Sequence, residues 1–409
     1  MIKTKMRGAA ALLAVGAFAL AGCSKDKAAD TTAAAADTTA AAAAAAADTT
    51  AAPAAAETTA AAAVETTAAA AADTTAAAAV PAAGGKVGVS LILKTLSNPF
   101  FVSMQKDAQA NADKLGVNLT VAAGKDDGDV ATQIAAIEAA VAKGDKGILI
   151  TPSANDVVPA LDAARKAGLL VIALDTPPDP ATAVDITFAT DNYNAGQLIG
   201  QWANGQLAGK KATIAMLDLF TDKVVSVDTG RDQGFLNGMG IVKAEDKSGN
   251  GKEAAKGKYA GGGDYEVVCH EPTNGAVDGG KTAMETCLTK NPDINVVYTI
   301  NEPAAQGAFD ALKAAGKEKG VLIVSVDGGC KPGLELVASG VIGATAQQYP
   351  GQMAAKGMAA IVDLANGKPK PTVTEGLTFF NTGVALVTDK AVPGVTSISV
   401  ADGQKICWG

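Results

Sequence analysis

From Val87 onward the chain alternates between apolar runs of strand length and stretches carrying a helical apolar stripe. Residues 87–93, 117–122, 147–150 and 169–174 read as strands. Between them, 100–115, 130–142 and 157–167 read as helices, each followed by a glycine near its end. After Asp191 the rhythm resumes with helix 195–207, strand 212–217, helix 232–240 and strand 265–269. Helix 282–289, strand 294–299, helix 304–315, strand 321–326, strand 342–346 and helix 351–365 follow. A βαβ rhythm predicts parallel sheets covered by helices on both faces. Two similar halves predict an α/β protein of two doubly wound lobes. The stretch 243–263, rich in lysine and glycine, reads as a surface insertion.

The first 85 residues do not share this pattern. Lys3, Lys5 and Arg7 precede a short apolar stretch over 9–20, which small residues and Cys23 close. That is the build of a secretory signal, too short to span a bilayer well. Its L-A-G-C ending resembles a bacterial lipobox, which implies cleavage after residue 22 and a lipid on the Cys23 thiol. Residues 23–85 then repeat alanine runs punctuated by D-T-T and E-T-T, with Pro53 and Pro81. Threonine pairs disfavour helix, and no apolar period offers anything to bury. The segment reads as a solvated tether of about 60 residues reaching roughly 40–45 Å as a flexible coil. The folded part is thus expected outside the cytoplasm, anchored to the outer face of the membrane or periplasmic, away from ATP and nicotinamide cofactors.

Composition narrows the function classes. The formal charge is −8, and loss of the three signal cations makes the remainder more acidic, which disfavours nucleic acid and anionic lipid. The roughly 320 residues from Lys86 suit two lobes better than one core. One histidine, His270, leaves no multi-histidine metal centre or Ser-His-Asp triad elsewhere. It reads as a surface or strand-end residue. No cofactor and no metal are expected. Besides Cys23 there are Cys269, Cys287, Cys330 and Cys407, an even number allowing three disulfide pairings in an exported chain. Cys269 on a strand and Cys287 on the next helix favour a local bridge, which leaves Cys330 for Cys407; buried thiols are the alternative.

Ligands of open parallel sheets bind beyond the carboxyl ends of the strands. The residues predicted there are 94–101, 151–153, Asp175, Thr176, Asn301, Glu302, Asp327, Gly328, Gln347 and Gln348. They supply hydroxyl-binding polar groups and two adjacent phenylalanines whose faces suit the C–H side of a sugar ring. No nucleophile stands beside a base. Three motifs point elsewhere. Residues 275–282 satisfy a P-loop pattern, Ser103 to Lys106 reads S-x-x-K, and 246–251 begins like a calcium loop. Each lacks its partners: the magnesium-binding aspartate, the S-D-N and K-T-G boxes, and the closing glutamate.

The segments K-T-L-S-N-P-F-F at 94–101, V-I-A-L-D-T at 171–176, T-D-N-Y-N-A-G at 190–196 and G-R-D-Q-G-F at 230–235 resemble one family. T-I-N-E-P at 299–303, V-D-G-G at 326–329 and A-T-A-Q-Q-Y-P at 344–350 extend the likeness. The family is the ribose/galactose-type (type I) periplasmic sugar-binding proteins of ABC transporters. D-K-V-V-S-V near Asp222, the long insertion, T-N-G-A near Asn274 and D-G-G-C near Cys330 resemble its fructose-binding members.

The resemblance implies two lobes joined by a three-segment hinge, with the ligand cleft between them. Residues 86–190 plus 349–380 would form the N-terminal lobe, and 191–348 plus 381–409 the C-terminal lobe. It implies sugar contacts from Asn98, Phe100, Phe101, Asp175, Arg231, Asn301, Asp327 and Gln348. Lys94, Thr151 and Thr176 stand where ribose binders carry Ser, Asn and Arg, which argues against ribose itself; Asn274 marks the less defined second-lobe wall. The expected function is non-catalytic capture of a monosaccharide, fructose or a relative, by a monomer that serves a membrane permease. A sugar sensor facing a membrane receptor is the alternative, and a sugar-modifying enzyme a third.

Overall fold

A computed structural model describes residues 86–243 and 250–409. The signal segment, Cys23, the tether and the start of the calcium-like run lie outside the described residues. The first half runs β1 (Gly88–Leu93), α1 (Pro99–Leu115), β2 (Asn118–Ala123), α2 (Val130–Lys143), β3 (Gly147–Ile150), α3 (Val158–Lys166), β4 (Leu170–Leu174) and β5 (Ile186–Ala189). The second runs α4 (Asn192–Leu207), β6 (Ala212–Asp218), α5 (Ser226–Met239), β7 (Lys256–Lys258), β8 (Asp264–Pro272), α6 (Val277–Lys290), β9 (Val296–Thr299) and α7 (Glu302–Ala314). It continues through β10 (Leu322–Asp327), α8 (Glu335–Ala338), β11 (Ala344–Gln347), α9 (Pro350–Ala365), β12 (Phe380–Asn381), β13 (Ala385–Val387) and α10 (Val400–Gly403).

Local chemistry explains the helix ends. Asn98 caps α1 through a hydrogen bond from Phe100 N, Pro99 opens the helix, and Gly116 closes it in the left-handed conformation. Asp129 and Gly144 bound α2 in the same way. Asn301 caps α7 ahead of Pro303.

The strands form two sheets, ordered β12-β5-β4-β3-β1-β2 and β13-β11-β10-β9-β6-β8-β7. The first is parallel throughout; in the second, β13 and β7 are antiparallel edges. Disregarding those late edges, both read 2-1-3-4-5, the doubly wound order whose switch point lies beside the first strand. Buried side chains of α1 and α9 cover one face of the first sheet, and those of α2 and α3 the other. The second sheet is packed likewise between α4 and α5 on one side and α6 and α7 on the other. The chain passes between sheets after β5, after β11 and between β12 and β13, a three-segment hinge.

Helices α4 and α5 meet through glycine. A Cβ on Gly196 or Gly234 would strike the Arg231 or Tyr193 carbonyl oxygen of the facing helix. That close approach brings Arg231 to Asn192, with Nε donating to Oδ1 at 2.7 Å.

Several expectations need correction. Strand β5 lies in a stretch not read as a strand, because its I-T-F-A breaks the apolar run with a threonine, unlike the equally short β3. The insertion is more than surface: β7 pairs with β8, and Tyr259 is buried with its hydroxyl donating to the Lys210 carbonyl at 2.7 Å. His270 stands inside β8, its ring wedged between Asp218 and Glu253. Cys269 faces Cys287 and Cys330 faces Cys407, with Cα separations of 5.7 and 5.2 Å, the span a disulfide needs.

Candidate functional site

The carboxyl ends of both sheets converge on one enclosed space. The first sheet contributes Lys94 after β1, Asp127 after β2 and Asp175 after β4, with Asn98, Phe100 and Phe101 from the start of α1. Facing them, the second contributes Asn301 after β9, Asp327 at the end of β10 and Gln348 after β11, together with Arg231 of α5. Leu219, Val227 and Ile300 supply apolar wall. The lobes touch at the rim, where Ser226 Oγ donates to the Pro177 carbonyl at 2.7 Å. The central free space is about 20 Å³, room for about one water, so a sugar would enter only with the lobes apart or side chains moved.

Charges pair on each side of this space. Lys94 Nζ lies 3.6 Å from Asp175 Oδ2, with both side chains almost fully buried. It also stands 5.9 Å from the centre of the Phe101 ring. Arg231 Nη1 donates to the Ile300 carbonyl at 2.7 Å and faces Asp327 Oδ1 at 3.6 Å. Gln348 Nε2 donates to the same Asp327 oxygen at 2.7 Å. Burial pushes the Asp327 carboxyl up to about 7, although Arg231 beside it pulls the other way. Burial likewise raises Asp127 to about 6 against the opposing pull of Lys94.

The two aspartates occupy equivalent places, at the ends of β4 and β10, and both have positive φ, 65° at Asp175 and 129° at Asp327. Non-glycine residues rarely hold such a backbone, and strain of this kind gathers at ligand sites. Behind Asp327, Glu302 accepts from Gly328 N at 2.8 Å, Gly329 N at 3.3 Å and Thr345 Oγ1 at 2.9 Å. It thereby fixes the turn that aims the aspartate.

Nine of the twelve expected ligand residues line the space: Lys94, Asn98, Phe100, Phe101, Asp175, Arg231, Asn301, Asp327 and Gln348. Three do not. Thr151 is buried beneath the site, its hydroxyl accepting from Lys94 N at 2.9 Å. Thr176 Oγ1 donates to Asp175 Oδ2 at 2.7 Å, so it orients the aspartate. Asn274 is exposed in the loop after β8. Asn98 and Asn301 also cap their helices through Oδ1, which leaves the amide ends for other partners. Asn301 Nδ2 already reaches the Gly275 carbonyl at 3.0 Å.

Sequence reasoning missed Asp127. It sits in an acidic turn, D-D-G-D at 126–129, and its position after β2 was the available signal. Its carboxylate also answers the P-loop pattern. A Cβ on Gly275 would stand 2.9 Å from Asp127 Oδ2, so an anion there would meet a carboxylate. Ser103 and Lys106 border a separate recess beside Trp408.

Comparison with known proteins agrees with this architecture. The periplasmic binding protein domain family matches residues 87–369. The ribose import binding protein of Salmonella typhimurium is 32% identical over 279 residues, 68% of this chain and 84% of its own length. The D-allose-binding periplasmic protein of Escherichia coli K12 is 27% identical over 282 residues, 67% and 83% of the two chains. In structure, an ABC transporter solute-binding protein of Agrobacterium vitis with bound D-fucose aligns with a TM-score of 0.64 at 24% identity. That alignment covers 78% of this chain and 99% of the other, and it speaks for the fold alone. Two doubly wound lobes meeting at the carboxyl ends of their strands, with a family match over most of the chain, give one conclusion: the chain belongs to the periplasmic binding protein family.

Proposed function

We propose that the protein is the sugar-capturing component of an ABC importer, closing its lobes on one monosaccharide. The observation that carries this is the convergence of Asp175, Asp327 and Arg231, from different sheets, on a closed space lined by phenylalanine. A micromolar dissociation constant corresponds to about 8 kcal/mol, and hydrogen bonds to charged groups contribute roughly 1.5–3 kcal/mol each. Three such groups and a ring are sufficient in magnitude. A ligand that touches both lobes favours the closed shape by population shift, and that shape is what a permease would recognise.

The ligand is read as fructose or a related monosaccharide, on the segments around Asp222, Asn274 and Cys330. Lys94, which lines the space and departs from the ribose pattern, argues against ribose itself. The chain is further read as exported, lipid-anchored through Cys23, monomeric, and bridged by disulfides Cys269–Cys287 and Cys330–Cys407. Its two lobes are read as 86–190 plus 349–380 and 191–348 plus 381–409. It performs no chemistry on the sugar.

Calorimetry of the purified chain against a monosaccharide panel tests the reading, with fructose expected to bind at micromolar affinity and to be recovered unchanged. Failure of every monosaccharide to bind, or release of a product, would refute it.

A further inference from the structure

A second cluster lies outside the sugar space, on the far side of α5. Asp218 ends β6, Asp228 and Asp232 lie one turn apart on α5, and His270 stands on β8 opposite Met216 of β6. The insertion adds Asn250 and Glu253. His270 Nδ1 is 2.7 Å from Asp218 Oδ2 and 3.7 Å from Asp232 Oδ2, and its Nε2 is 2.7 Å from Glu253 Oε1. Donor atoms of Asp218, Asp232 and His270 lie within 4.8 Å of one another, close enough for a single ion to touch all three.

Two observations separate this cluster from an ordinary group of acids. First, Asp218 and Asp232 are fully buried, yet among the described residues Asp218 Oδ1 and Asp232 Oδ2 have no hydrogen-bond partner; Asn250 Oδ1 and Glu253 Oε2 are likewise buried without one there. Buried oxygens of this kind are costly unless a donor or a cation meets them. Second, the group opens to solvent through a cavity of about 380 Å³ bordered by Asp218, Asp228, Asn250 and His270, which gives an ion a way in. Three carboxyl groups, those of Asp218, Asp232 and Glu253, face one imidazole. Of the lysines at the cavity edge among the described residues, Lys223 lies over the Phe220 ring at 4.3 Å and Lys252 is exposed.

We propose that this cluster is a binding site for a divalent metal cation, held by Asp218, Asp232 and Nδ1 of His270, with Glu253 on the opposite ring nitrogen orienting the imidazole. Carboxylate oxygens with one imidazole nitrogen suit manganese or zinc better than the all-oxygen preference of calcium or magnesium. The ion would pin the insertion onto β6 and β8, beside the α5 turn that carries Arg231.

The test uses the folded chain stripped with EDTA and titrated by calorimetry with Mn2+, Zn2+, Ca2+ and Mg2+. Expected are one Mn2+ or Zn2+ bound per chain, a raised melting temperature, and at least tenfold weaker binding in Asp232→Asn and His270→Gln. Because His270 is the only histidine, its imidazole NMR signals report on the unsubstituted protein as well, and Mn2+ should broaden them at stoichiometric addition. Absence of saturable binding overturns the site, as does binding that survives both substitutions. Calcium binding that leaves the His270 signals unmoved overturns the imidazole ligand. These readouts need no sugar, so they stand apart from the transport reading.

Discussion

Trp408 Nε1 donates a hydrogen bond of 3.0 Å to the main-chain carbonyl of Asp327. Trp408 therefore braces an aspartate that lines the enclosed space, while its ring meets Phe100 edge-on with centroids 5.4 Å apart. Cys407 beside it faces Cys330, and Cys330 N donates to the Trp408 carbonyl at 2.8 Å. The tail thus touches α1 and β10, each of which carries residues that line the space.

Opening the Cys330–Cys407 link should loosen this brace. A bridge spanning 77 residues stabilises by about 4 kcal/mol in the chain-entropy picture. Reductant, or the pair Cys330→Ala with Cys407→Ala, is expected to lower the melting temperature by several degrees and weaken sugar binding. Calorimetry and thiol titration of the native chain check this; free thiols before reduction would contradict it.

Arg231→Ala should lose ligand and also stability. The guanidinium is buried, bonded to Asn192 and Ile300, and faces Asp327. Its removal strands a buried carboxyl, a change that typically costs about 3–5 kcal/mol. Urea denaturation of the unliganded variant should show that loss, and an unchanged midpoint would place the arginine in solvent.

Asp175 separates charge from backbone. Asp175→Asn and Asp175→Ala both remove the carboxylate facing Lys94, and each should weaken sugar binding at least tenfold. Only alanine meets the full cost of a left-handed backbone, about 1 kcal/mol. Denaturation of the unliganded variants should rank alanine below asparagine by that amount.

Asp127 makes the unliganded protein sensitive to pH. Burial raises its carboxyl from 3.8 to about 6. Between those values the folded state keeps a proton that the unfolded chain has released, so stability falls as pH rises through the window and levels off above it. The whole effect is at most about 3 kcal/mol. Melting curves of the parent and Asp127→Asn from about pH 4 to pH 7 should diverge, the parent losing ground. Parallel curves would mean that Asp127 is solvated.

Much of the site was legible because strand ends are local features. An apolar run followed by Asp175, Asn301 or Asp327 marks a ligand-facing position wherever the sheet goes, and the family-like segments supplied the pairing of halves. Asn98 and Asn301 carry a second role that was not read from the sequence, each capping a helix with a proline in its first turn. Thr151, Thr176 and Asn274 share the same sequence neighbourhoods, but which way each side chain turns depends on neighbours from other elements.

The order of elements, the doubly wound class and the aspartates at strand ends are properties of the sequence alone, because periodicity and turn chemistry act within a few residues. Tertiary structure decided the rest. Asp127 comes under the charge of Lys94, Trp408 braces Asp327, and His270 joins Asp218, Asp232 and Glu253 only because chain segments remote in sequence pack together. Burial in that packing, which short-range pattern does not encode, turns ordinary carboxylates into groups that must find a partner.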